Sequence, residues 1–243
     1  MKTNGKRNIF LVACLKNDII GFLYSYYGSG KGYIEAIAVK PEYRNLGIGS
    51  ILLREIEKIL KKKGVKRVKL NVESRNLRAL SFYLKNGYSI DGVTILMAWD
   101  NNKELNELND NMKSIEIISE NLKGINGIHL TWWSDITEKV DREVYKYYKC
   151  EIAHIIYLND KFCGAIEFKP ENSLYIDYLI ISHSNPQKSL ITVMKWLKKY
   201  AIENNIHKVI IPVDSSKRVF IKTMIEEGFK IHDIEYRLSK DLD

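Results

Sequence analysis

Val39-Lys40-Pro41-Glu42-Tyr43-Arg44-Asn45-Leu46-Gly47-Ile48-Gly49-Ser50 stands where an alternating apolar run, Lys31 to Val39, gives way to a run of helical period, and the reading of this junction decides the fold. Pro41 ends the strand on the near side, because proline has no N–H to offer a central ladder. On the far side Ile48, Ile51, Leu52, Ile56, Ile59 and Leu60 recur at helical spacing, with lysine and glutamate between them. Gly47 and Gly49 let the backbone turn tightly and approach a ligand, while the first N–H groups of the helix point outward without acceptors. A junction of this form suits a pyrophosphate. A lone Gly-x-Gly also serves as an ordinary turn, and this one is neither a Walker loop, which ends in Gly-Lys-Ser/Thr, nor the Gly-x-Gly-x-x-Gly of a dinucleotide fold.

Upstream of the junction, residues 9–15 and 19–27 read as two strands joined by the turn Lys16-Asn17-Asp18. Downstream, Gly64 stops the helix, Val68, Leu70 and Val72 alternate with polar neighbours as a strand, and Asn76 is placed to cap a short helix ending near Gly87. Tyr88 to Trp99 returns as one or two strands. Residues 100–113 are polar and rich in asparagine, a linker or a weak surface helix.

The same order returns beyond residue 150. Cys150 to Tyr157 and Phe162 to Phe168 flank a turn, and Leu174 to Ile181 is a further strand. Pro186 lies near a helix start whose apolar stripe is Leu190, Met194, Leu197 and Ala201. A strand at Val209 to Val213, a helix at Arg218 to Glu227 and a last strand at Phe229 to Leu238 complete it. The pairs Asn17-Asp18…Gly21 with Asn159-Asp160…Gly164, and Gly87-Tyr88 with Gly228-Phe229, mark a degenerate internal repeat. The expected organisation is therefore a first module over residues 1–100, a linker over 101–113 and a second module over 114–243, each an α/β (α+β) unit with a mixed, mostly antiparallel twisted sheet flanked by helices. Residues 114–149, with His129, Leu130, Trp132, Trp133 and an amphipathic stretch from Ile136 to Tyr148, have no counterpart ahead of the first hairpin.

Arg44-Asn45-Leu46-Gly47-Ile48-Gly49, after the lead-in Val39-Lys40-Pro41, has the form Arg/Gln-x-x-Gly-x-Gly/Ala, and Asn76, Ala79, Tyr83, Gly87 and Tyr88 follow the pattern Asn-x-x-Ala-x-x-x-Tyr-x-x-x-Gly-Phe/Tyr. With these two signatures in order, the chain resembles the GCN5-related N-acetyltransferase (GNAT) family, well over residues 8–99 and more weakly over 115–240. The resemblance implies tandem GNAT-like modules and acetyl-coenzyme A as cofactor. It implies that the backbone N–H groups of Leu46, Gly47, Ile48, Gly49 and Ser50 hold the pyrophosphate, and that Arg44 and Asn45 belong to the cofactor site, Arg44 as either a phosphate contact or a surface cation. The strand before the loop is expected to splay from its neighbour so that Ile37, Ala38 and Val39 line the pantetheine arm, the Val39 N–H lying near the thioester carbonyl.

By the same resemblance Tyr83 protonates the departing thiolate, a role its position alone does not separate from that of a core aromatic, and Asn76 adds a pantetheine contact to its capping role. Glu35 is the candidate general base, since it shares strand parity with Ile37 and Val39; it also reads as a solvent-facing carboxylate, and Glu73 is the second choice. The implied reaction is N-acyl transfer to a primary amine of a small molecule or peptide; the alternative is a noncatalytic acyl-coenzyme A sensor.

Composition agrees with a packed globular protein. With 45% hydrophobic and 28% charged residues and 4 prolines, the chain is neither disordered nor fibrous. The early apolar run Ile9 to Leu15 is far short of the roughly 20 residues that cross a bilayer, so no membrane partner and a cytoplasmic location are the expectations. Cys14, Cys150 and Cys163 are odd in number and lack metal-ligand spacing, so neither a disulfide nor a metal site is expected. The net charge of +8 gathers partly in Lys58, Lys61, Lys62, Lys63, Lys66, Arg67 and Lys69, without the interleaved aromatics of a nucleic-acid groove, so nucleic acid is not the expected partner.

Two departures from the family pattern stand out. Only Met1 to Asn8 precedes the first strand, where the family places the strand and helices that wall the acceptor pocket; the second module or another subunit, as in a homodimer, must supply that wall, and residues 129–148 hold the candidate material. The second module's junction, Ile181 to Ser189, has no glycine, and Met224 stands opposite Tyr83, so it is not expected to bind coenzyme A well. His183 in that junction reads as a surface residue.

Overall fold

In the computed structural model, residues 8–28, 30–101, 112–118, 125–131, 152–169 and 172–242 are described. They fall into two compact units. Unit 1 holds the described residues up to Gly92 together with Tyr236 to Leu242, and unit 2 the described residues from Val93 to Glu235.

Unit 1 runs β1 (Asn8–Leu15), β2 (Asp18–Gly28), β3 (Lys31–Val39), a 3-10 turn (Pro41–Tyr43), α1 (Ile48–Lys62), β4 (Arg67–Glu73), α2 (Leu77–Lys85) and the first residues of β5 (Ser89–Asp100). β1, β2 and β3 form an antiparallel meander, and β4 joins β3 in parallel. Leu52, Leu53, Ile56 and Leu60 of α1 are buried with Leu23, Ile34, Val68, Leu70 and Val72 of the sheet. Ile51, placed on the apolar stripe by spacing, is exposed and Leu53 takes its place. The stripe runs through positions 52, 56 and 60, and a residue five before Ile56 falls off that face of a 3.6-residue helix.

Unit 2 repeats the order after β6 (Met112–Ile118) and β7 (Ile128–His129): β8 (Ile152–Leu158), β9 (Lys161–Lys169), β10 (Ser173–Ile181), α3 (Pro186–Glu203), β11 (Lys208–Asp214), α4 (Arg218–Glu226) and the first residues of β12 (Lys230–Asp241). Its strands lie in the order β5-β11-β10-β9-β8-β6, with β7 against β10. The predicted stripe of α3 is correct at all four positions, each fully buried against Phe168, Ile176, Val209 and Ile211.

The units do not follow chain order at their ends. β5, the last strand of the first repeat, pairs antiparallel with β11 over Thr94 to Asp100 inside unit 2. The tail of β12, the last strand of the second repeat, lies beside β4 inside unit 1, where Leu242 N–H donates to the Lys66 carbonyl at 2.8 Å. Each unit is thus completed by the closing strand of the other half of the chain, which is why the packing boundary falls at Gly92 and again at Glu235 rather than at residues 100 and 114. An ion pair of Lys240 with Glu57 at 2.7 Å secures the exchanged tail in unit 1, and Lys240 Nζ also donates to the Asn86 carbonyl at 3.0 Å.

Candidate functional site

The junction quoted above is a 3-10 turn followed by two left-handed residues. Tyr43 N–H donates to the Lys40 carbonyl at 3.0 Å and Arg44 N–H to Pro41 at 3.2 Å; Asn45 then takes φ 64° and Gly47 φ 80°. A side chain at Gly47 would meet no atom within 4 Å, so its glycine answers to backbone conformation and not to crowding. Gly49 is the reverse case: a Cβ there would lie 3.3 Å from the Phe82 ring of α2.

Gly47 is the N-cap of α1, no side chain caps the helix, and no acidic residue stands in its first turn. The first intrahelical bond runs from Ile51 N–H to the Gly47 carbonyl at 3.0 Å. The N–H groups of Ile48, Gly49 and Ser50 precede it and have no helical acceptor, and the positive end of the helix dipole is not offset.

The cleft begins on the strand that feeds this loop. β3 and β4 are registered only from Lys31↔Arg67 to Tyr33↔Lys69, although β3 continues to Val39 and β4 to Glu73. Lys40 N–H donates to the Ile20 carbonyl at 2.9 Å, so the adjoining pair Gly21↔Val39 does not exchange bonds, and the N–H and C=O of Val39 point away from β2. Ile37, paired with Leu23 two residues earlier, has the same orientation. Both therefore direct backbone groups to the side on which β4 has diverged. Arg44 folds back on this edge, its Nε donating to the Val39 carbonyl at 2.9 Å, which makes it a brace between strand and loop.

Asn76 caps α2 as the sequence predicts, its Oδ1 accepting from Ala79 N–H at 3.0 Å. The cap orients Tyr83, which lies buried in the unit 1 core edge-on to Phe82 and Tyr88, at 5.1 and 5.7 Å between ring centroids. Burial pushes its phenol up to about 12, so it stays protonated and able to donate at physiological pH.

Glu35 is exposed, and the parity that singled it out does not hold. The register shifts between Tyr24↔Ala36 and Ser25↔Ile34, which leaves Glu35 as the extra residue of a β-bulge. Ile34 and Ile37, three apart, consequently both pack on the helix side of the sheet. Glu73, also exposed, ends β4.

Unit 2 builds the same cleft and fills it. β10 and β11 are registered in parallel only from Ser173↔Lys208 to Tyr175↔Ile210. Ile181 pairs with Gly164 as Val39 pairs with Gly21, and Ser182 N–H donates to the Cys163 carbonyl at 2.8 Å in the manner of Lys40 to Ile20. Into the divergence comes residues 128–131. Ile128 and His129 pair with Ile181 and Ile180, Leu130 N–H donates to the Leu179 carbonyl at 3.0 Å, Asp214 N–H donates to Leu130 at 3.3 Å, and Thr131 bridges Val213. Leu130 is fully buried there. Residues 129–131, grouped from the sequence with the acceptor wall, are instead part of unit 2's own sheet, and residues 132–148 lie outside the described residues. The N-terminus of α3 is closed as well: Asn185, at φ 54°, accepts from Lys188 N–H at 3.4 Å, and Pro186 has no N–H to give.

Sequence reasoning missed Arg78, whose Nη2 donates to Asn45 Oδ1 at 3.3 Å and ties the first turn of α2 to the loop, and Phe82, the ring that requires Gly49. Their position on the same short helix as Tyr83, Arg78 next to Ala79 and Phe82 one turn after it, is the only signal they carry.

An uncapped helix start that can take an anion, reached along a strand edge that can pair with an extended arm, fits coenzyme A. Residues 2–88, which build these features, match the acetyltransferase (GNAT) family. The spermidine N(1)-acetyltransferase of Thermoplasma acidophilum is 39% identical over 92 residues, 37% of this chain and 57% of that relative, so the chain spans little more than half its length. An acetyltransferase of Sodalis glossinidius is 29% identical over 96 residues, 40% of this chain and 68% of its own. Among solved structures, a tandem GNAT protein from the clavulanic acid biosynthesis pathway superposes with a TM-score of 0.71 over 98% of this chain and 84% of its own, at 10% identity. A GCN5-related N-acetyltransferase from Sphaerobacter thermophilus superposes with a TM-score of 0.67 over 98% and 81%, at 12% identity. These two likenesses are of fold alone and extend over both repeats, whereas the match to the acetyltransferase (GNAT) family is confined to the first.

Proposed function

We propose that the chain is an acetyl-coenzyme A-dependent N-acetyltransferase acting on a primary amine of a small molecule or peptide, with its cofactor in unit 1. The observation that carries this reading is that the unregistered edge of β3, Ile37 to Val39, runs directly into the loop that ends at the uncapped start of α1. Ile48, Gly49 and Ser50 would hold the pyrophosphate through backbone N–H groups, and Ile37 and Val39 would pair with the pantetheine arm. Ala38, between them, presents a small side chain and leaves room beside the arm.

Bound acetyl-coenzyme A supplies the acetyl group as a thioester. The Val39 N–H, turned to the cleft, donates to the carbonyl oxygen as charge gathers on it during attack. Tyr83 donates to the departing sulfur. Its phenol, pushed up to about 12, lies above an ordinary thiol at ~8.5, so it stabilises the thiolate by a hydrogen bond more readily than it gives up its proton outright. The amine's own proton leaves through Glu35, Glu73 or water. No helix among the described residues is long and apolar enough to cross a membrane. The reading sets the reaction in the cytoplasm, with a second copy of the chain completing the acceptor wall.

Release of coenzyme A thiol, measured with acetyl-coenzyme A and a panel of primary amines, tests the proposal. Amine-dependent release supports it. Tight binding of acetyl-coenzyme A with no transfer to any amine would replace it by the sensor reading, and no binding at all would remove both.

A further inference from the structure

Tyr83 stands in the last turn of α2, a helix of nine residues, so the place of its phenol depends on how that end of the helix is held. Its own carbonyl accepts from Asn86 N–H at 3.0 Å and from Tyr88 N–H at 3.1 Å, and Asn86 Nδ2 donates to the Phe82 carbonyl at 2.8 Å. A further hold comes from Lys240. Its Nζ donates to the Asn86 carbonyl at 3.0 Å, pairs with Glu57 at 2.7 Å and lies 5.7 Å from the centre of the Tyr88 ring, against which Tyr83 packs edge-on. A Cβ on Gly87 would lie 3.5 Å from Lys240 Cε, so the lysine stem runs along the left-handed residue between Asn86 and Tyr88. A cation at this end of a helix also meets the negative end of its dipole.

The residues after Lys240 fix it in turn. Asp241 takes the Arg67 guanidinium in two bonds, at 2.5 and 3.0 Å, and Leu242 N–H donates to the Lys66 carbonyl. The closing strand of the second repeat thus delivers a cation to the helix that carries Tyr83.

Unit 2 shows the same clamp with no tyrosine to place. There Phe229 N–H donates to the Met224 carbonyl at 2.9 Å as Tyr88 does to Tyr83, and Lys198 of its own α3 lies 5.7 Å over the Phe229 ring and donates to the Glu227 carbonyl. Unit 1 adds polar atoms to this plan, the Tyr88 hydroxyl and Glu57 Oε1, both buried and without a hydrogen-bond partner. Burial, and then the Glu57 carboxylate, push the Tyr88 phenol up, so it stays protonated. Polar atoms buried in this way cost stability. A fold that needed only the clamp would be served by the apolar version in unit 2; the added groups surround the one ring that carries a donor to the cleft.

We infer that Lys240, brought into unit 1 by the last strand of the second repeat and held by Glu57, is a positioning residue for Tyr83, acting through the Asn86 carbonyl and the Tyr88 ring. The inference rests on the reading of Tyr83 as the group that meets the departing sulfur. It gives the second repeat a part in the reaction of the first.

The test is a double-mutant cycle on the full chain. Its readout is kcat for coenzyme A thiol release from acetyl-coenzyme A, with the amine that the wild-type chain turns over fastest, beside a calorimetric titration of coenzyme A. Lys240→Met should lower kcat about ten-fold, less than a misplacement of ~1 Å can cost, and move the coenzyme A dissociation constant and the amine KM less than about two-fold. Lys240→Arg should recover most of the loss. On Tyr83→Phe, Lys240→Met should change kcat less than about two-fold, because residues that act as one unit are not additive. Glu57→Gln keeps the side-chain shape and should give a kcat loss of about three-fold; it carries the test if Lys240→Met does not fold. Unchanged kcat in either folded variant, a Lys240→Met loss of the same size on Tyr83→Phe, or a loss of coenzyme A affinity that matches the loss of turnover would overturn the inference and leave the cofactor reading intact. A kcat indifferent to Tyr83→Phe would take Tyr83 out of the chemistry, and no amine-dependent turnover would remove the enzyme reading; either result removes this inference as well.

Discussion

The two clefts of this chain share one backbone plan and differ in what occupies it. In unit 1 the edge of β3 from Ile37 to Val39 has diverged from β4, and no strand among the described residues enters the gap. In unit 2 the corresponding edge, Leu179 to Ile181, is paired by residues 128–131, which also bond to Val213 and Asp214 on the far side. The helix starts differ in parallel: Gly47 leaves α1 uncapped, whereas in α3 Asn185 accepts the Lys188 N–H and Pro186 has none to give. A peptide strand uses the same N–H and C=O groups that an amide-bearing pantetheine arm would use. Unit 2 has therefore met by its own chain the hydrogen-bonding demand that unit 1 leaves open, and a donor buried without a partner would be costly.

Exchanging residues between the clefts tests this difference, and the largest effect is expected at the chemistry. Tyr83 stands where unit 2 has the buried Met224. Tyr83→Phe keeps the ring packing and removes the donor, so turnover should fall about 100-fold or more while the dissociation constant of coenzyme A, read by calorimetry, shifts less than about two-fold. Next comes the cradle. Gly47→Asn with Ile48→Pro writes the α3 cap into α1, both N-caps lying in the left-handed region, Gly47 at φ 80° and Asn185 at φ 54°. Loss of charge-assisted backbone bonds at about 1.5 to 3 kcal/mol each should weaken coenzyme A binding by at least about 10-fold, with the far-ultraviolet circular dichroism unchanged.

Smaller effects should separate the supports of the two units. Both place a lysine ammonium on the C-terminal carbonyls of their second helix: Lys240 on Asn86 in unit 1, paired with Glu57, and Lys198 on Glu227 in unit 2. Lys240→Met leaves the nearly buried Glu57 without this cation, and because the site is partly exposed the cost should be about 2 kcal/mol. Lys198→Met, whose carboxylate lies at 3.8 Å, should cost about 1 kcal/mol; urea unfolding midpoints give both.

The smallest effect is one of pH. All five histidines lie in unit 2, and His154, packed among Phe168, Trp196 and Tyr200, is held below its usual range by burial, against the opposing pull of Glu116. Its neutral form is the folded one, so the unfolded chain binds the proton more readily. Stability from this group is full above the unfolded value near ~6.5 and is lost progressively as pH falls below it. His154→Phe should remove that part of the slope in urea unfolding at pH 7 and pH 5.5, with coenzyme A affinity at pH 7 unaltered.

What could be read from the sequence was local. The cap at Asn76, the left-handed Gly47, the stripe of α3 and the order of elements in both repeats follow from spacing and from residues with strong backbone preferences. The splay of β3 from β4 came from the resemblance and is present in the register. The features that escaped depend on distant partners. Nothing near Tyr88 or Lys230 announces that β5 and β12 exchange units, because each reads as an amphipathic strand wherever it pairs. β7 is two residues long, and its identity comes wholly from β10 and β11. The bulge at Glu35 inserts one residue against β2, which inverts the side-chain alternation on which the base assignment stood.

Calorimetric titration of the full chain with coenzyme A tests the contrast most directly. One site per chain is predicted, weakened by Gly47→Asn with Ile48→Pro. Two equivalent sites, or a single site indifferent to that substitution pair, would contradict it.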